Sequence, residues 1–147
     1  MSTVIERLNG LPASCLDRLV ADSERHGLSL VRRLVDEWSS GVNRFDRPGE
    51  ALFVARSDGR LVGVCGLNVD PYAGRDDIGR VRHLYVLAAD RRVGIGERLV
   101  AEVIAAARGR FDRLQLRTSN PVAAALYERL GFRRSDAADA THRMDLR

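Results

Sequence analysis

Apolar residues recur along the chain with two different periods, and the points where the period changes divide it into elements. A short strand is expected near Thr3 to Leu8. Cys15, Leu16, Leu19 and Val20 then return at helical spacing; Ser14 is placed to cap that helix, with Asp17 at its third position and His26-Gly27 at its end. Leu30, Val31, Leu34, Val35 and Trp38 make one face of a second helix that stops near Gly41. The segment Val42 to Glu50, with Asn43, Arg44, Asp46, Pro48 and Gly49, reads as a loop.

Three strand patterns follow: Ala51 to Arg56, Leu61 to Val69 and Arg80 to Leu87. Ser57-Asp58-Gly59 is hairpin-turn chemistry between the first two, and the polar loop Asp70 to Asp77 separates the second from the third. From Gly96 to about Arg108, Leu99, Val100, Val103, Ile104 and Ala107 form a helical stripe closed by Gly109. A strand over Phe111 to Thr118 comes next. Asn120 is an N-cap with Pro121 in the first turn of a short helix, Val122 to Leu130, that Gly131 ends. A last hairpin pairs Phe132 to Ser135 with Thr141 to Leu146. The order implies an α/β (α+β layered) domain: a mixed, mostly antiparallel sheet of about six to seven strands with about four helices.

Composition narrows the function. At 147 residues, with 45% hydrophobic and 30% charged, the chain suits one globular domain over residues 1–147. No stretch reaches the roughly 18 apolar residues of a membrane span, and the start lacks a signal-peptide layout, so a cytoplasmic protein without a membrane partner is expected. Cys15 and Cys65 lie in apolar surroundings and read as reduced core residues, and His26 and His142 have no partners at metal-ligand spacing, so no metal is expected. The net charge is +4, but the basic residues are scattered, which argues against a specific nucleic-acid partner. All 24 basic residues are arginine, which excludes P-loop, Schiff-base and pyridoxal-phosphate chemistry that needs a lysine amine.

The strongest local signal is the strand Val81 to Val86, then a short loop with two arginines and two glycines, then an amphipathic helix. Such a junction is an anion cradle: first-turn N–H groups point outward, the helix dipole favours negative charge, and glycine lets a phosphate approach the backbone. Arg91 and Arg92 add permanent charge at its rim. Gly94 and Gly96 are equally explained as residues of a tight strand-to-helix turn. A dinucleotide fold fits poorly, because Leu99 stands where its third glycine belongs.

At this point the chain resembles the GNAT superfamily of acetyl-CoA-dependent N-acetyltransferases, whose phosphate motif is Arg/Gln-x-x-Gly-x-Gly/Ala. Here it reads Arg91-Arg92-Val93-Gly94-Ile95-Gly96 after the strand Leu84-Tyr85-Val86. A second family motif is matched by Leu114 to Pro121 followed by Ala124 to Phe132, and the resemblance covers residues 51 to 135. It implies acetyl-CoA as cofactor. By the same resemblance, the main chain of Leu84, Tyr85 and Val86 pairs with the acetyl-pantetheine arm, and the amides from Arg92 through Glu97 hold the pyrophosphate. Asn120 contacts the cofactor, and Tyr127 is the general acid that protonates the departing thiolate. Asn120 as a helix cap and Tyr127 as a core aromatic are the competing accounts.

The implied reaction is acetyl transfer to a primary amine of a small molecule or peptide by direct attack, with a main-chain N–H near Val86 as oxyanion donor. Three departures stand out. Arg80, Arg82 and Gln115 occupy positions where the family often carries its base, which leaves water relays, Asp70, Asp76, Asp77, Asp46 or Glu37 as candidates. Ala88 replaces a common proline. His83 should face away from Arg82 and Leu84 in a regular strand, unless a β-bulge intervenes. Arg80 and Arg82 either face the acceptor and favour an anionic group near its amine, or are solvated or paired with Asp76 and Asp77. The alternative function is a non-catalytic acyl-CoA-binding regulatory module. Homodimers are common in the family, although no segment declares an interface.

Overall fold

A computed structural model describes residues 2–12 and 14–147. Its elements, in chain order, are β1 (Thr3–Leu8), α1 (Asp17–Arg25), α2 (Leu30–Ser40), β2 (Ala51–Ser57), β3 (Arg60–Val69) and β4 (Ile78–Val86). A 3-10 turn (Ala88–Asp90) leads into α3 (Ile95–Arg108), then β5 (Arg113–Leu116), α4 (Pro121–Arg129), β6 (Arg133–Arg134) and β7 (His142–Asp145). One sheet runs β1-β2-β3-β4-β5-β7-β6, and every neighbouring pair is antiparallel except β4 with β5.

Residues 61–69 of β3 are all buried, as expected of a central strand covered on both faces. The two sides are distinguished by its glycines. A Cβ at Gly63 would meet Leu99 of α3 at 3.0 Å, whereas one at Gly66 would meet Phe45 at 2.5 Å. α3 therefore covers one face with Leu99, Val100, Val103 and Ala107, and α1, α2 and the loop after α2 cover the other. Burial of these side chains, worth about 1.5–3 kcal/mol each, is what seats the layers.

Most expected elements are present. α2 ends as predicted at Gly41, with φ +83, and Asn120 caps α4 by accepting from the amides of Val122 and Ala123. The strand expected over Phe111 to Thr118 is shorter, Arg113–Leu116, and the final hairpin is trimmed likewise.

The expected Ser14 cap is not formed. Ser14 sits at φ +67 in a turn where its carbonyl accepts the Asp17 amide, and α1 begins after Leu16, which no side chain caps. Leu16 is 1% exposed, and seating it in the core moves the helix start from Cys15 to Asp17. No described helix is long and apolar enough to cross a membrane.

Candidate active site

β4 and β5 pair only through Ile78↔Arg113, Gly79↔Leu114 and Arg80↔Gln115, although β4 runs on to Val86. Beyond Arg80 the two strands part, and one edge of β4 loses its partner. Main-chain groups alternate in direction along a strand. The Leu87 amide donates to Val62 on β3, so the Val86 amide and carbonyl point the other way, into the opening. The Val86 carbonyl accepts from Nε of Arg91 at 2.9 Å, and that guanidinium lies over the Tyr85 ring at 5.2 Å.

The opening leads to the start of α3. Gly94 is its N-cap at φ +84, a left-handed conformation that favours glycine, and no side chain caps the helix. The first helical bond runs from the Arg98 amide to the Gly94 carbonyl. The amides of Ile95, Gly96 and Glu97 thus have no intramolecular partner among the described residues. A Cβ at Gly94 would meet nothing within 4 Å, whereas one at Gly96 would meet Leu126 of α4 at 3.1 Å. Gly94 therefore opens space before free donors, and Gly96 lets α4 pack close. Arg92 and Val93 are exposed at the rim, and Arg92 has φ +71; Glu97 pairs with Arg129 at 2.6 Å.

On the other side of the opening stands α4. Tyr127 is buried, packs edge-on against Phe132 with centroids 5.6 Å apart, and has no hydrogen-bond partner for its hydroxyl among the described residues. Burial, with the Cys65 thiol adding to it, pushes that hydroxyl's pKa up. Burial also pushes Cys65 up to about 12, which leaves it an inert thiol. Asn120 is exposed, its side-chain oxygen committed to the cap.

β4 carries a bulge just past the last β5 pair. Gly66 opposes Arg82 and Val64 opposes Tyr85, so His83 and Leu84 together face Cys65. His83 takes φ +61, and its Nδ1–H donates to the Leu30 carbonyl of α2 at 3.0 Å. Arg82, across from Gly66, projects from the same face, so the alternation expected of a regular strand is overturned here. Burial, then the charges of Arg82 and Arg33, lower the His83 pKa to about 4.

The remaining acid candidates sort by their partners. Asp70 is fully enclosed: Oδ1 accepts the amides of Tyr72 and Ala73, and Oδ2 accepts from Arg80 at 3.1 Å and Gln115 at 3.2 Å. Arg80 also donates to the Asp139 carbonyl and lies under the Tyr72 ring at 4.8 Å. Neither expectation for Arg80 holds, because it is buried against Asp70 rather than turned to an acceptor, solvated, or paired with Asp76 or Asp77. Asp77 pairs with Arg75. With every Asp70 lone pair engaged, Asp70 has none left to act as a base.

Asp22 of α1 escaped the sequence reading. Its Oδ2 accepts from the Tyr85 hydroxyl at 2.6 Å and from the Ala88 amide at 3.0 Å, and Arg25 binds Oδ1 at 2.7 Å. Burial raises its pKa, but the Tyr85 hydroxyl, the Ala88 amide and Arg25 outweigh it and hold the carboxyl below its usual range. The available signal was an acid three residues after Leu19 on the buried helical face. No group of three or more His, Cys, Asp or Glu side chains among the described residues is placed to hold a metal.

The splayed parallel pair and the helix start with free amides belong to an acetyltransferase domain, and the chain belongs to the GNAT acetyltransferase family: the model of the Acetyltransferase (GNAT) domain matches residues 48–134. N-alpha-acetyltransferase RimI of Mycobacterium tuberculosis is 40% identical over an 87-residue alignment that covers 54% of this chain and 50% of the relative. The chain thus spans about half the length of that curated relative. A putative acetyltransferase structure from Exiguobacterium sp. 255-15 superposes with a TM-score of 0.88 at 32% identity, covering 99% of this chain and 94% of that one. The yncA structure from Salmonella typhimurium, solved with its cofactor acetyl-CoA, shares the fold at a TM-score of 0.73 and 14% identity, over 100% and 95% of the two chains.

GNAT acetyltransferases use acetyl-CoA. The residues here fit it. Three unpartnered helix amides and a glycine fronting open space match a pyrophosphate, and the free β4 edge matches an extended amide-bearing arm.

Proposed function

We propose that this protein is an N-acetyltransferase that passes the acetyl group of acetyl-CoA directly to a primary amine of a peptide or small molecule in a ternary complex. The observation that carries this is the parting of β4 from β5 in front of the free α3 amides. The name of the Mycobacterium tuberculosis relative supports a peptide N-terminal amine as one acceptor class.

In this reading the Ile95, Gly96 and Glu97 amides hold the pyrophosphate, with Arg91, Arg92, Val93 and Gly94 forming the rim. The β4 edge at Leu84, Tyr85 and Val86 orients the pantetheine arm as a neighbouring strand would. Acetyl-CoA supplies an activated thioester. The inward Val86 amide is oriented to stabilise an oxyanion, and preorganised donors of this kind contribute about 3–4 kcal/mol. Tyr127 stays protonated well above neutral pH, as a general acid must before it delivers a proton to a thiolate. Asn120, exposed at the start of α4, holds that helix's first turn.

A second reading, a non-catalytic acyl-CoA-binding module, draws support from one finding: the buried Arg80–Asp70–Gln115 cluster takes up two of the usual base positions for structure. One experiment separates the two. Calorimetric titration with acetyl-CoA is run on wild type and Gly94→Asp, beside a thiol-release assay with a peptide bearing a free N-terminal amine and a panel of small primary amines. Binding lost in the folded variant, with thiol release by wild type, supports the transferase. Binding without thiol release supports the module, and no binding by folded wild type sinks both.

A further inference from the structure

One side-chain nitrogen among the described residues is buried and has no hydrogen-bond partner: Nε2 of His83. Because Nδ1–H donates to the Leu30 carbonyl, the neutral ring carries its proton on Nδ1, and Nε2 presents a bare lone pair. A buried polar atom without a partner costs about 1–3 kcal/mol, and native proteins retain few of them. His83 is held this way by a left-handed backbone conformation that a non-glycine residue seldom adopts.

Its position gives the orphan a use. The bulge at His83 lies three residues past Arg80↔Gln115, where the sheet opens. His83 projects from the α1/α2 face, beside Phe45 at 6.3 Å between ring centroids, with Trp38 stacked on Phe45 at 6.4 Å. Val86, whose side chain lies near Gly96, projects from the opposite face, the one α3 covers. A donor lying along the β4 edge thus has free helix amides and Tyr127 toward one face and His83 toward the other. On that face His83 packs beside Phe45 and Trp38, an apolar surround in which Nε2 is an unpartnered acceptor.

We propose that His83 is a substrate-orienting residue: its Nε2 accepts a hydrogen bond from an N–H of the neutral acceptor amine and aims the amine's lone pair at the opening between β4 and β5. The ring takes no proton in this role. Arg82 and Arg33 beside it disfavour a second positive charge, so the site selects the uncharged, nucleophilic form of the amine. This assignment rests on the amine-transfer reading above.

Two substitutions separate this role from a structural one. His83→Asn retains a donor in the place of Nδ1, and asparagine tolerates the left-handed conformation, but the acceptor at the Nε2 position is lost. His83→Gln carries its amide out to that position and forfeits the bond to Leu30. Steady-state kinetics use whichever peptide or small amine wild type acetylates, with acetyl-CoA titration of each variant as a check on fold and cofactor binding.

The expected result is an amine KM raised about tenfold or more in His83→Asn, partial rescue in His83→Gln, and unchanged acetyl-CoA affinity in both. The reverse order, with His83→Asn like wild type and His83→Gln impaired, makes His83 a brace for α2 and overturns the assignment. Absence of turnover by folded wild type with every amine removes the amine-transfer reading, and this assignment falls with it. Wild-type turnover left intact in both variants removes this assignment alone.

Discussion

The Tyr85 hydroxyl donates to Oδ2 of Asp22 at 2.6 Å, and the Ala88 amide donates to the same oxygen at 3.0 Å. One carboxylate thereby ties α1 to the strand that lines the opening and to the first residue of the turn toward α3. Removal of the charge should loosen both. Asp22→Asn is expected to cost about 1–3 kcal/mol in urea unfolding and to weaken acetyl-CoA binding severalfold, with Tyr85→Phe milder on both counts. Because the folded Asp22 pKa is lowered, its contribution is complete above the unfolded value of about 3.9 and fades as pH falls below it.

His83 gives a separate acid window. Its pKa is about 4 when folded, against about 6.5 unfolded, so the unfolded chain takes up the proton first as pH drops. Stability present above pH 6.5 should be lost progressively toward pH 4, by up to about 3 kcal/mol. Unfolding midpoints measured across that range should slope downward in wild type and be flatter in His83→Asn. Parallel slopes for the two proteins would show that the imidazole does not titrate in this way.

The Tyr127 hydroxyl has no internal partner, so its removal should leave the fold almost untouched. Tyr127→Phe is expected to change unfolding free energy by less than about 0.5 kcal/mol and to lower kcat by about 10²-fold. A variant with normal kcat would strip Tyr127 of its acid role.

Asp70 should behave in the opposite way. Asp70→Ala leaves Arg80 buried without its counter-charge and Gln115 without an acceptor, a loss of about 3–5 kcal/mol. Thermal unfolding should reveal that loss. Full stability combined with abolished turnover would instead return Asp70 to the list of bases.

The parts of this molecule that were legible in its sequence are those set by neighbours along the chain. Asn120 is recognisable as a cap because its partners are two and three residues on, and the α3 stripe because helical contacts recur locally. The loop Arg91 to Gly96 is legible for the same reason. Ser14 obeyed the local rule for a cap and still failed, since the burial of Leu16 is decided by the whole core. The Asp70–Arg80 pair, the Asp22–Tyr85 bond and the bulge at His83 depend on which strand or helix lies alongside. No periodicity records that His83 and Leu84 share one partner on β3.

Only three parallel pairs join β4 to β5, and in the proposed function the acetyl donor fills the rest of that boundary. Any molecule that binds the folded chain there adds stability of RT ln(1 + [L]/Kd), about 2.7 kcal/mol at a hundredfold excess over Kd. Under that proposal the sheet is completed by its own donor. When that donor is scarce the seam opens more often, and proteases find the chain sooner. Lifetime of the protein, and not only its rate of turnover, then follows the supply of the molecule that fills the gap.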